Sequence, residues 1–116
     1  MTPATARLDE ILRRIPGPAS PEWPQGEPFA LALAHGTMSV EVYAPRGHDP
    51  QTPHVQDELY FIHAGSGEFV LDGVRHPFAP GTVFFVLAGV EHRFEHFTPD
   101  FTTWVVFWGP PGGERL

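Results

Sequence analysis

The 116-residue chain has no cysteine and no lysine. Without thiols there are no disulfides, no thiolate metal ligands and no cysteine nucleophile, and cysteine usage says nothing about compartment. Without lysine, positive charge rests on seven scattered arginines against 14 acids, a formal net charge of −7. A surface so biased is poorly suited to a phosphate backbone, so no nucleic-acid partner is expected. No apolar run approaches the ~20 residues that span a bilayer. The first 15 residues are charged and amphipathic and lack the apolar stretch of a signal peptide. The expectation is a soluble, cytoplasmic protein with no membrane partner.

What is present points to one small β domain. The length suits a single core. Ten Phe interleaved with 14 Pro and 12 Gly alternate bulky apolar groups with turn-makers, which suits an all-β barrel or sandwich. One helix is expected first: Leu8, Ile11, Leu12 and Ile15 share a helical face, Thr2 is the N-cap, Pro3 opens the helix and Pro16-Gly17 ends it. Residues 1–28 thus read as a helix and a Pro-rich arm pinned by Trp23, and 29–116 as one barrel domain. Strands are expected at 37–44, 58–64, 68–71, 74–78, 82–87, 92–97 and 101–108, about eight in all from Phe29 onward. Asp72-Gly73 is a strong two-residue hairpin signal.

His54 and Glu58 lie four apart, and His92 lies well downstream. A straight strand would separate the first two by ~13 Å. For both to reach one ion the chain must bend, and Gln56-Asp57 is the expected place. Two imidazoles and a carboxylate form a strong donor set for a first-row divalent metal. Three protein ligands leave two or three positions for water, dioxygen or a substrate oxygen. Seven histidines allow many such trios, and spacing alone does not single this one out.

The stretch His54-Val-Gln-Asp-Glu58, followed by six residues and Gly65, resembles the second half of the first cupin motif. Gly81 to His92 resembles the second motif, and Asp72-Gly73 falls where that family has its intermotif strands. The resemblance covers about Gly47 to Trp108. It implies an all-β, cupin-type double-stranded β-helix, a jelly-roll barrel, here with a short N-terminal helix. It also implies one divalent transition metal on His54, Glu58 and His92, with Fe, Mn, Ni and Zn all open. The sequence departs from the family at three positions. Thr52 stands where the first histidine is usual, and Gln51, Gln56 or a water are the candidates to fill that place. Leu87 replaces a proline, and His96 replaces the asparagine that ends the second motif.

Around the triad, Thr52, Gln56, Tyr60 and His96 are the candidate outer-shell or substrate contacts. Tyr60 lies two residues beyond Glu58 and shares its face. His96 shares strand parity with His92, but ~13 Å of strand makes it a hydrogen-bonded wall residue before a ligand. Asp57 reads as a solvated turn residue and His63 as a surface or interface residue. His35, His48 and His76 fall in or near turns. Phe84, Val86, Phe94, Trp104 and Val106 read as core packing around an apolar pocket.

The resemblance does not name an activity. One reading is a metal-dependent enzyme, an oxygenase-type catalyst or an isomerase acting on a small organic substrate, with its catalytic residues unassigned. The other is a non-catalytic module that binds a small molecule, its metal structural or absent. In either case a small-molecule ligand and a homodimer are the expected partners.

Overall fold

The structure, a computed structural model, describes residues 3–115. It begins with α1 (Leu8–Leu12) and continues in eight strands. These are β1 (Phe29–His35), β2 (Met38–Tyr43), β3 (Asp57–Ala64), β4 (Gly67–Leu71), β5 (Val74–Phe78), β6 (Val83–Val86), β7 (His92–Glu95) and β8 (Thr102–Trp108). Turn chemistry sets the plainest of them. Asp72 and Gly73 both hold positive φ, 49° and 80°, and close β4 onto β5 with Leu71 opposite Val74. Two consecutive positive-φ residues make the tight turn whose twist matches its strands.

The strands pair antiparallel into two sheets, β1-β2-β8-β3-β6 and β5-β4-β7. Two facing antiparallel sheets are the jelly-roll solution to covering β surface. Between them lie Tyr60, Phe69, Phe78, Phe94 and Phe101, all at least 95% buried. Phe94 stacks within 4.6 Å of both Phe69 and Phe101, centroid to centroid. Each such ring stabilises the fold by about 1.5–3 kcal/mol through burial alone.

Four expectations need correction. The helix is five residues long, because Arg7 at its N-cap is extended and caps with no side chain. Thr2, the expected cap, lies outside the described residues. Ile11 is buried, and α1 packs against its own β1 and β2. Asp57 is buried rather than solvated: one carboxylate oxygen accepts from the Ala88 amide and the other from the Glu114 amide. Trp104 and Val106 lie on the outer face of β8, since Val105 and Phe107 face the barrel cavity and successive side chains alternate. The centre of β8 is apolar on both faces, so its sequence does not say which face is inside.

Gly65, at φ 88°, closes the β3–β4 turn, where an added Cβ would sit 2.6 Å from the Phe101 Cα. Gly65→Ala should therefore cost about 2 kcal/mol or more, from backbone strain and from a clash with main chain that cannot rotate away. Urea unfolding of the variant beside the parent checks this, and equal midpoints would contradict it.

Candidate metal centre and adjoining cavity

The triad draws on three parts of the fold. Glu58 stands on β3, paired on one side to Val86 of β6 and on the other to Phe107 of β8. His92 opens β7 in the small sheet, opposite Leu71. His54 lies just before the chain bends at Val55-Gln56, one residue earlier than expected, and β3 begins at Asp57. That bend shortens the separation a straight strand would impose. His54 Nδ1 comes to 3.2 Å and His92 Nε2 to 2.8 Å from the same Glu58 oxygen, Oε1. One donor atom from each residue falls within 4.8 Å of the others.

Two observations test whether a metal fits. His92 Nδ1 lies 2.8 Å from the Val90 carbonyl oxygen, a contact only an N–H can satisfy. In the neutral ring this leaves the Nε2 lone pair facing the Glu58 carboxylate. Accordingly, His92 Nε2 and Glu58 Oε2 are both buried without a hydrogen-bond partner among the described residues. Buried lone pairs facing one another cost free energy unless a cation lies between them. Second, donors ~2.1 Å from one ion and at right angles lie ~3 Å apart, close to both separations here. Two imidazole nitrogens and a carboxylate are also the donor set that first-row divalent ions prefer. The residues fit a metal.

With no metal bound, a proton is the cation at hand. Burial pushes the His92 imidazole down, but the Glu58 carboxylate and the Val90 carbonyl outweigh it and the net shift is upward. Burial pushes the Glu58 carboxyl up, but its contacts with His54 and His92 bring it below the usual value.

His54 also lines a cavity of about 470 Å³, together with Thr52, Gln56 and Tyr60. Thr52, at the sequence position where a fourth ligand is usual, is exposed on the wall of the same cavity. Both glutamines are hydrogen-bonded to other partners. Gln56 donates to the carbonyls of Thr37 and Gly109. Gln51 donates to Asp49 and accepts from the Tyr60 hydroxyl. His96 is elsewhere: β7 ends at Glu95, the chain turns through φ 53° at His96, and its exposed ring meets Glu68 on the outer surface.

Two residues that sequence reasoning missed shape this region. Asp49 is a buried carboxylate in the loop before His54, accepting from the Tyr43 hydroxyl, from the Gln51 amide and side chain, and from the Phe94 amide. An aspartate in a Pro- and Gly-rich loop carries no sequence signal of such a role. Glu41 on β2 lines the cavity. Burial raises its carboxyl pKa, His54 opposes that shift, and the carboxylates of Glu58 and Glu27 add to it. A signal existed here: Ser39, Glu41 and Tyr43 alternate along one face of β2, and a strand position facing a barrel is an unusual place for a carboxylate.

A family model described as a cupin domain matches residues 39–108. An uncharacterized protein of Streptomyces coelicolor is 40% identical over 81 residues, covering 68% of this chain and 76% of that protein. The HTH-type transcriptional activator RhaS of Mannheimia succiniciproducens is 35% identical over 57 residues, 49% of this chain. The chain spans only 21% of that activator. Among solved structures, KdgF from a Halomonas species superposes with a TM-score of 0.63 at 15% identity, over 71% of this chain and 77% of that one. At that identity the likeness shows the fold alone.

The two shifts give the metal-free protein a stability profile. The raised His92 contributes stability that is full below the ordinary 6.5 and is lost as pH rises through its folded value. The lowered Glu58 contributes stability present above the ordinary 4.5 and lost as pH falls through its folded value. Metal-free protein should therefore gain most from the pair between those two reference values. Chemical denaturation across pH checks this, with Glu58→Gln expected to flatten both arms and an unchanged profile contradicting the coupling.

Proposed function

Because the chain belongs to the cupin family, we propose that it holds one divalent transition metal on His54, Glu58 and His92 and binds a small organic molecule in the adjoining cavity. The observation that carries this reading is the pair of partnerless buried atoms, Glu58 Oε2 and His92 Nε2, in a cluster with the donor set of a metal site. A bound divalent ion supplies Lewis-acid polarisation of a ligand oxygen and, with three protein donors, open coordination positions. The chain's own residues do the rest. His92 is held by Val90, the loop before His54 is anchored through Asp49, and Tyr60 and Thr52 line the space a ligand enters. As an enzyme it would be an oxygenase-type catalyst or an isomerase, with Glu41 as its candidate proton carrier.

A second reading is binding without turnover. It is favoured by the engagement of Tyr60 and Gln51 in the Asp49 network, which leaves Glu41 and the exposed Glu22 as the cavity's carboxylates. Likeness to part of a transcriptional activator supports it as well. Oxygen uptake by the iron- or manganese-loaded protein with small organic substrates separates the two.

The partner we propose is a second copy of this chain, on the outer face of the large sheet. Phe61 pairs across to Trp104 and Val83, and Leu59 to Val106 and Phe85, so two apolar rows cross the sheet. Phe61, Val83, Phe85 and Leu87 are 40–55% exposed. A contiguous apolar face is what isologous dimers bury.

Two measurements test these proposals. Metal analysis by mass spectrometry should give about one ion per chain, with His92→Ala and Glu58→Gln each losing most of it while circular dichroism stays β-rich. Full metal in both variants would contradict the assignment. Sedimentation at micromolar concentration should show a dimer that Phe85→Lys converts to monomer, and a monomeric parent would refute the pairing.

A further inference from the structure

The cavity beside the triad has a second chemical character that the metal does not explain. Its charged lining, apart from His54, is Glu41 from β2 and Glu22 from the N-terminal arm. No arginine is among its lining residues, and the chain has no lysine. Arg7 and Arg13 pair with Asp9 beside α1, and Arg14 donates to the Leu31 carbonyl. Arg46 donates to the carbonyls of Ala44, Pro45 and Phe101, while Arg75 and Arg93 pair with Glu68, Glu91 and Glu95 on the outer face of the small sheet.

The same wall is aromatic. Trp23 reaches in from the arm and meets Phe29 at 6.1 Å and Tyr43 at 6.5 Å, with ring planes 76° and 73° apart. All three rings line the cavity with the two carboxylates. Rings set nearly at right angles form a corner, which suits a compact cation better than a flat ring does. The Tyr43 hydroxyl donates to Asp49, a carboxylate, so this ring sits beside negative charge.

From this we infer that the cavity takes an organic amine, its ammonium group in the corner of Trp23, Phe29 and Tyr43 against Glu41 and Glu22. This rests on the preceding reading of the cavity as a small-molecule site and names the ligand class. Without the proposed metal ion, which would itself attract an anion at His54, an anionic ligand would meet two carboxylates there and no side-chain cation except a protonated His54. A neutral ligand would leave the half-buried Glu41 without a counter-charge. An ammonium satisfies the carboxylates and the π faces together.

The test uses three probes of matched size on the full chain: 2-phenylethylamine, 2-phenylethanol and phenylacetate. Each is titrated by calorimetry into metal-loaded and chelator-treated protein at neutral pH, with metal content measured separately. The amine should bind at least ~10-fold more tightly than the alcohol or the carboxylate in the chelator-treated protein, where no metal ion competes for the carboxylate. Glu41→Gln should erase most of that preference. Trp23→Leu, placed in the arm and outside both sheets, should weaken the amine ~5-fold or more without unfolding the barrel. In the chelator-treated protein, equal or tighter binding of the carboxylate, no binding of the amine at millimolar concentration, or an amine preference untouched by both variants would overturn the inference. Failure of the metal proposal would appear in the metal content instead and would leave the amine preference readable in the chelator-treated protein.

Discussion

A buried carboxylate with imidazole nitrogens facing it cannot be left to itself. Glu58 Oε1 lies between His54 Nδ1 and His92 Nε2, and the second Glu58 oxygen has no partner. The site therefore calls for positive charge, supplied by a proton or by an ion. The two sheets depend on the outcome. Glu58 belongs to the large sheet and His92 to the small one, so whatever cation binds them also ties the layers together. A proton satisfies one contact at a time. A divalent ion satisfies all three donors.

The surrounding residues read as supports for that arrangement. Asp49 fastens the loop before His54 to the Phe94 amide on β7 and to Tyr43 on β2. Asp57 does the same immediately before Glu58, accepting from the amides of Ala88 and of Glu114 near the C-terminus. Thus His54 lies between two buried carboxylates that bind backbone, Glu58 directly follows the second, and each carboxylate joins distant segments. The N-terminal arm completes the mouth, where Trp23 packs on Phe29 and Tyr43 and forms part of the cavity wall.

Much of this was legible in the sequence, and the limits have physical causes. Local turn chemistry wrote the β4–β5 hairpin into Asp72-Gly73, and strand periods placed β2 to β8 to within two residues, while β1 was expected without bounds. The triad was legible because its three residue types match one kind of chemistry in motifs of known order. What failed was information that lives between distant segments. Parity extrapolated from His92 put His96 on the barrel wall, but the strand stops at Glu95 and the chain turns. Asp57 looked solvated because its partners, Ala88 and Glu114, are 31 and 57 residues away. Trp104 and Val106 could not be told from inward residues on a strand apolar on both faces. The helix was expected to be longer, since a good apolar stripe does not reveal an uncapped start at Arg7.

The central claim is that the cation at the Glu58 carboxylate is a metal ion held by all three side chains. Anomalous X-ray scattering tests it directly, using crystals of protein purified without added metal and data collected on both sides of the absorption edge of the metal found in the sample. The account predicts one anomalous peak per chain, within bonding distance of His54, Glu58 and His92. Metal-containing protein whose anomalous peaks all lie elsewhere, or protein that holds no metal even after exposure to iron, manganese, nickel and zinc, would contradict it.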